Sequence, residues 1–209
     1  MTTTTTTRPM PSPRRYDLML WWASRGKESV FRERLVDLAR IAPGDSVLDV
    51  GCGTGTLAIA AAVKAGPTGS VCGVDPSLEL LARADRKARR AGADVRFLTA
   101  SGERLPLDDD SFDVVLSTLV FHHLQGPAIH DAIAEIRRVL RPEGRWLCVD
   151  IGGDQDAERQ TMHGHASFDL SAFVPRLSSV GFTAIDHGPV ESGMRRLEKL
   201  TYFVAARSS

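Results

Sequence analysis

The chain has 209 residues, 43% of them hydrophobic and 25% charged, enough for one domain with a substantial core and little beside it. Lys plus Arg and Asp plus Glu number 26 each, so the net charge is zero and the charge balance advertises neither nucleic acid nor an acidic membrane as a partner. No apolar run approaches the roughly 20 residues that cross a bilayer, and Cys52, Cys72 and Cys148 offer neither paired metal spacing nor the even count of a disulfide framework.

Residues 1–14 lack the apolar stretch of a signal peptide and read as a disordered leader, which leaves the cytoplasm as the default location. Residues 15–42 read as one or two helices ending before Pro43 and Gly44, with Val30, Leu35, Leu38 and Ile41 as part of an apolar stripe. From residue 43 to 209 a single domain follows. "SVLDVG" is a strand, and "TGTLAIAAAVKAG" a helix stopped by Gly66 and Pro67. "SVCGVD" is the second strand, and "PSLELLARADRKARRAG" a helix closed by Gly92. "DVRFLTA" and "SFDVVLSTLV" supply two more strands, the latter after the acidic turn Asp108–Asp110. "AIHDAIAEIRRVLRPEG" puts Ile129, Ile133, Ile136 and Leu140 on one helical face, and "RWLCVDI" is the fifth strand. A helix near "LSAFVPRLSSVG" then precedes two strands, "FTAIDHG" and "KLTYFVAA", with no helix between them.

Strands alternating with helices predict a parallel sheet, because parallel neighbours need crossover connections. Near-continuous apolar strands agree, since a sheet covered on both faces has no polar side. The expected fold is α/β and Rossmann-like, a seven-stranded, mostly parallel sheet ending in an antiparallel hairpin, with helices on both faces.

The ends of such strands are where ligands sit. After the first strand come Gly51, Gly53 and Gly55, which allow unusual backbone angles and close approach to a ligand. Residues 53–58 satisfy the loose G-x-G-x-x-A dinucleotide pattern, with Asp75 about 20 residues on to hold a ribose. Against a dinucleotide stands Asp49, just before the first glycine: a carboxylate there repels a pyrophosphate and suits a cationic ligand. S-adenosylmethionine, with an ammonium, a sulfonium and a ribose, fits that charge better.

"VLDVGCGTG", "GVDPS", "SGERLPLDDDSFDVVLSTLVFHHL" and "EIRRVLRPEGRWLCVDI" together resemble the ordered motifs of class I S-adenosylmethionine-dependent methyltransferases, over about residues 16–206. Within them the chain is most similar to the small-molecule branch that includes ubiquinone and menaquinone C-methyltransferases. The resemblance implies methyl transfer to O, N or C of an apolar or uncharged small molecule, leaving S-adenosylhomocysteine. It implies that Asp49, Gly51, Cys52, Gly53 and Gly55 line the methionine and ribose side, and that Tyr16 joins the cofactor set. Asp75 would accept both ribose hydroxyls, with Pro76 and Ser77 near the adenine. Gly102 and Glu103 would flank the adenine edge, and Thr118 would face the methionine ammonium. Many relatives carry an acid where this chain has Ser101, and a neutral acceptor holds the adenine amino group less strongly than a charged one.

Methyl transfer needs a base only where the nucleophile must lose a proton. His122 and His123, directly after the fourth strand, are the candidates, against a merely structural role as cavity lining. His163, His165 and Asp169 could form a metal set but read better as a loop over the substrate pocket; His130 reads as surface, and no metal is expected. Tyr16, Leu18, Met19, Leu20, Trp21 and Trp22 read as sheet-covering helix, as a lid, or, with Arg14, Arg15, Arg25 and Lys27, as a transient membrane contact without insertion. Two other functions are open: a cofactor-binding regulator or partner subunit without catalysis, and a nicotinamide-dependent oxidoreductase.

Overall fold

The computed structural model describes residues 28–151, 170–190 and 200–208. Helix α1 (Glu28–Leu38) leads into strand β1 (Ser46–Val50), helix α2 (Thr56–Ala65), strand β2 (Ser70–Asp75), helix α3 (Leu78–Ala91) and strand β3 (Arg96–Thr99). Strand β4 (Phe112–Thr118), a 3-10 turn (Phe121–His123), helix α4 (Pro127–Val139) and strand β5 (Leu140–Ile151) follow. A short helix α5 (Leu170–Phe173) continues as a 3-10 segment (Val174–Val180) before strands β6 (Phe182–Pro189) and β7 (Leu200–Arg207). The strands form one seven-stranded sheet in the order β3-β2-β1-β4-β5-β7-β6. β1 to β5 are parallel neighbours, and β7 pairs antiparallel with both β5 and β6. The expected edge hairpin is therefore present, with its second strand placed inside the sheet.

Side chains alternate across the sheet and fill two cores. Leu48, Val50, Val74, Val115, Trp146 and Cys148 pack with Ile133 and Ile136 of α4 on one face. Val47, Val71, Val114, Leu116, Leu147 and Val149 pack with Phe31 and Leu35 of α1 and Leu57, Ala58 and Ala61 of α2 on the other. This is the two-residue period of a strand buried on both sides. All three cysteines are buried and unpaired.

Three elements differ from the sequence expectation. Val30 is 63% exposed, because the buried stripe runs through Phe31 and Leu35 of α1 and on to Ala39 just past its end, at four-residue spacing. Strand β5 begins at Leu140, which pairs with Phe112; the register then shifts, and regular pairing resumes at Val114 with Arg145. Residues 141–144 are thus an irregularity in a strand, with Glu143 at φ 64°, where the Pro142–Gly144 stretch suggests a helix end. The helix expected near residue 170 holds α-form for four residues and then tightens to 3-10 around Pro175.

Charged groups clamp the edge of the sheet where the parallel strands start. Arg145 meets Asp45 at 2.6 Å and donates to the Ala39 carbonyl at 2.7 Å. Asp113 accepts from the Ser46 N–H at 2.8 Å and from Arg141 at 2.6 Å. Burial alone would raise the Asp113 carboxyl, but these donors hold it below the ordinary carboxylate range.

Candidate active site

At the opposite edge, where the parallel strands end, the strand order reverses between β1 and β4, and a crevice forms at such a switch point. Gly51, Gly53 and Gly55 take φ values of 69°, 55° and 75°, the left-handed region that glycine enters without strain. The three serve different ends. A Cβ on Gly51 would run into Val120, and one on Gly55 would come within 2.8 Å of the Ala84 Cβ and 2.9 Å of the Phe97 ring. At Gly53 a Cβ would meet nothing within 4 Å, so that glycine faces open space.

Asp75, the last residue of β2, organises this turn. One carboxylate oxygen accepts from the Gly53 N–H and the other from the Ser77 N–H, each at 2.9 Å. Burial raises the Asp75 carboxyl, and the two N–H bonds oppose the rise. Ser77 turns its hydroxyl to the start of α3, accepting from the Leu80 N–H at 3.3 Å, while Pro76 is exposed. Lys87 of α3 donates to the hydroxyls of Thr54 and Thr56 at 2.8 and 2.9 Å, bracing the loop from outside. Cys52 is buried under the loop, its thiol pushed up by burial and by the nearby Asp49 and Asp75.

Asp49 is 2% exposed, and its Oδ2 is buried without a hydrogen-bond partner. Burial pushes its carboxyl up to about 7, with Asp75 adding to the rise and Arg32 opposing it. Thr118, ending β4, likewise buries an unpartnered Oγ1. Buried polar atoms are nearly always paired, so two such atoms on adjacent strands make this edge a candidate place for a polar ligand. Beyond β3, the half-buried turn Ser101–Glu103 is tied back by the Arg104 N–H to the Ser101 carbonyl at 3.2 Å. The Ala100 N–H reaches the Asp75 carbonyl at 3.3 Å, which sets that turn beside the β2 end.

The sequence-nominated residues Asp49, Gly51, Cys52, Gly53, Gly55, Asp75, Ser101, Gly102, Glu103 and Thr118 thus gather along one edge of the sheet. Tyr16, Trp21, Trp22, His163, His165 and Asp169 lie outside the described residues. His130 is exposed, as expected of a surface residue. His122 and His123 stand on the 3-10 turn after β4, ring centroids 3.9 Å apart. Asp150, which sequence reasoning missed, lies under them: fully buried near the end of β5, it meets the His122 Nδ1 at 2.8 Å. Its only sequence signal is an acid interrupting the apolar run of "WLCVDI". Among the described residues, no three His, Cys, Asp or Glu side chains cluster as a metal site and no helix is long and apolar enough to cross a membrane.

A seven-stranded sheet of this order, with a glycine turn after β1 and an acid ending β2, places the chain among Rossmann-like α/β folds with a crevice at the strand ends. Residues 47–144 match the methyltransferase domain family. Over 137 residues the chain is 38% identical to a demethylmenaquinone methyltransferase of Thermus thermophilus, covering 66% of this chain and 61% of that protein. A demethylmenaquinone methyltransferase of Lactobacillus johnsonii is 36% identical over 132 residues, covering 62% of this chain and 53% of that one. The chain therefore spans little more than half the length of these curated relatives. A SAM-dependent methyltransferase structure from Aquifex aeolicus shares the fold, with a TM-score of 0.75 at 19% identity over 95% of this chain and all of that one. Residues 47–144 thus carry the likeness to a methyltransferase domain, and over the matched stretch the chain is similar to quinone methyltransferases, on a fold shared with S-adenosylmethionine-dependent methyltransferases.

Proposed function

We propose that the chain is an S-adenosylmethionine-dependent methyltransferase acting on an uncharged, apolar small molecule, of which a hydroxylated aromatic ring is the best candidate. The observation that carries this is the buried, unpartnered Asp49 Oδ2 beside the open face of Gly53. A pyrophosphate would be repelled by that carboxylate, whereas a cationic ligand supplies what its burial lacks. Bound there, S-adenosylmethionine would supply a methyl group already activated by its sulfonium.

The residues divide the work along the edge. Asp49 and Thr118 would take the ammonium end, and Gly53 would allow the ligand close to the backbone. Asp75 would accept the ribose hydroxyls with the lone pairs its two N–H bonds leave over. The Ser101–Glu103 turn would border the adenine, where the serine is a weaker acceptor than an acid. Residues 43–209 would form the catalytic domain. The acceptor class rests on the relatives, which are named for naphthoquinone and demethylmenaquinone substrates. A quinone ring is electron-poor, so carbon or oxygen attack on a methyl group favours its reduced, hydroxylated form.

Titration calorimetry with S-adenosylhomocysteine and with NAD tests the cofactor. Binding of the former alone is expected; binding of NAD instead would overturn the reading in favour of an oxidoreductase. Transfer of labelled methyl to 1,4-dihydroxynaphthalene tests the acceptor and separates an enzyme from a cofactor-binding regulator.

A further inference from the structure

The polar groups at the ligand edge follow a row: Asp75, Asp49, Thr118 and Asp150 come at or near the ends of four adjacent strands, β2, β1, β4 and β5. The first three are accounted for by the cofactor. Asp150 belongs to the far side of Thr118, where an acceptor would approach. It is fully buried, in a strand otherwise given to apolar packing.

Its contacts are directional. The Asp150 Oδ2 accepts from the Phe121 N–H at 2.8 Å and the His122 N–H at 3.3 Å, fixing the 3-10 turn over the end of β5. The other oxygen lies 2.8 Å from the His122 Nδ1. Phe121 anchors the turn from below, its ring 5.3 Å from that of Trp146, and Trp146 in turn donates to Ser117 at 2.9 Å. The His122 ring is therefore gripped at the backbone and at one nitrogen, while its side chain keeps 20% exposure. Among the described residues, Asp150 from β5 and His123 from its own turn are titratable groups that face it.

We infer that His122 is the general base of this site and Asp150 its positioning residue. This rests on the methyl-transfer reading of the same edge. A carboxylate is an acceptor, so the ring nitrogen facing it carries the proton and Nε2 is left with a lone pair. That tautomer can take a proton, and the carboxylate stabilises the imidazolium that results. For a hydroxylated aromatic acceptor, the hydroxyl proton passes to Nε2 and the oxygen's electron pair makes the acceptor nucleophilic at oxygen or at a ring carbon. The new bond forms to the donor's methyl carbon and the broken C–S pair returns to sulfur. At carbon, the ring hydrogen would then leave as a proton to water while the imidazolium returns its proton to the oxygen as aromaticity is restored; at oxygen, the imidazolium would shed its proton to water.

The test is the His122 tautomer, read by long-range 1H–15N correlation in the protein bound to S-adenosylhomocysteine, with His122→Gln to assign the signal. In its neutral form the wild-type ring is expected to show a proton on Nδ1 and a bare Nε2, and Asp150→Asn to lose that preference. With 1,4-dihydroxynaphthalene, His122→Gln is expected to lower kcat about 100-fold, within the range for a lost general base, and leave the KM for the methyl donor unchanged. His122→Gln also keeps the buried Asp150 and its bond from Phe121, so it covers the case in which the Asp150 variant fails to fold. A wild type that binds S-adenosylhomocysteine but carries the proton on Nε2, or a His122→Gln variant with undiminished kcat, would overturn the assignment. A wild type that binds no S-adenosylhomocysteine would sink the cofactor reading instead, a distinct result.

Discussion

The two edges of one sheet treat their charges in opposite ways. Where the parallel strands start, Asp45 and Asp113 each meet an arginine at 2.6 Å, and Asp113 also accepts a backbone N–H. Where they end, the Asp49 Oδ2 and the Thr118 Oγ1 are buried without a hydrogen-bond partner, and three glycines hold left-handed backbone. The first edge consists of satisfied surface pairs that register the strands. The second keeps unmet polarity in place, which is stable only because the surrounding packing enforces it and useful only if a ligand meets it. Substitutions at the two edges should therefore fail differently.

The largest effect is expected at Gly51. Alanine there must hold a left-handed φ, about 1–2 kcal/mol, and drive a methyl into Val120, about 1–3 kcal/mol more. Denaturant unfolding should show a loss near the sum, with S-adenosylhomocysteine binding abolished. The same change at Gly53 keeps the left-handed cost of about 1–2 kcal/mol but meets no atom within 4 Å, so the fold should lose less than at Gly51 while ligand binding is still weakened.

Next comes Asp49→Asn, whose effect depends on pH. Burial raises the Asp49 carboxyl from the ordinary 3.8 to about 7, so between those values the folded chain binds more protons than the unfolded one. Stability from this group is thus present at low pH and lost as pH rises towards 7, at up to about 1.4 kcal/mol per unit. Asparagine removes that slope. Urea titrations from pH 4.5 to 8 should show the variant gaining on the wild type as pH rises, by up to about 3 kcal/mol before the neutral amide's own unmet bonds are subtracted. Affinity for S-adenosylmethionine should move the other way, rising with pH in the wild type as the carboxylate forms and staying flat in the variant.

Asp75→Ala should be smaller in energy but confined to the site. It deprives the Gly53 and Ser77 N–H groups of a charged acceptor, and losing such a bond is worth about 1.5–3 kcal/mol. Calorimetry should show S-adenosylhomocysteine weakened about ten- to a hundredfold; an unchanged Kd would remove Asp75 from the site.

Much of the ligand edge was legible in the sequence because its parts are local. A glycine at each alternate position after Asp49, Ser77 as a helix cap and Gly92 as a helix stop all act within a few residues of themselves. Asp150 was not legible, because its meaning comes from a partner 28 residues away, brought over it by a three-residue turn. The β5 irregularity escaped for a related reason: the Arg141–Gly144 stretch has the composition of a helix end, and only the Phe112–Leu140 pairing makes it part of a strand. Val30 faces solvent because apolar spacing fixes a helix's stripe but not which neighbouring phase is buried.

The smallest effect belongs to the strand-start edge and carries the opposite pH sign. Arg141→Ala removes one partner of Asp113 from a pair whose side chains are 44% and 29% exposed, so solvent screening limits its worth to about 0.2–1 kcal/mol. The Ser46 N–H still holds the carboxylate after the change. The carboxyl of Asp113 sits below its ordinary value in the folded chain, so its contribution is full above that value and fades as pH falls through the lower one. The Arg141→Ala deficit should thus be measurable at pH 7 and shrink in acid, while S-adenosylhomocysteine affinity stays that of the wild type throughout. A deficit that instead grew in acid, or a loss of ligand affinity, would mean that the two edges are coupled through β4 and that the division between registering charges and waiting charges does not hold.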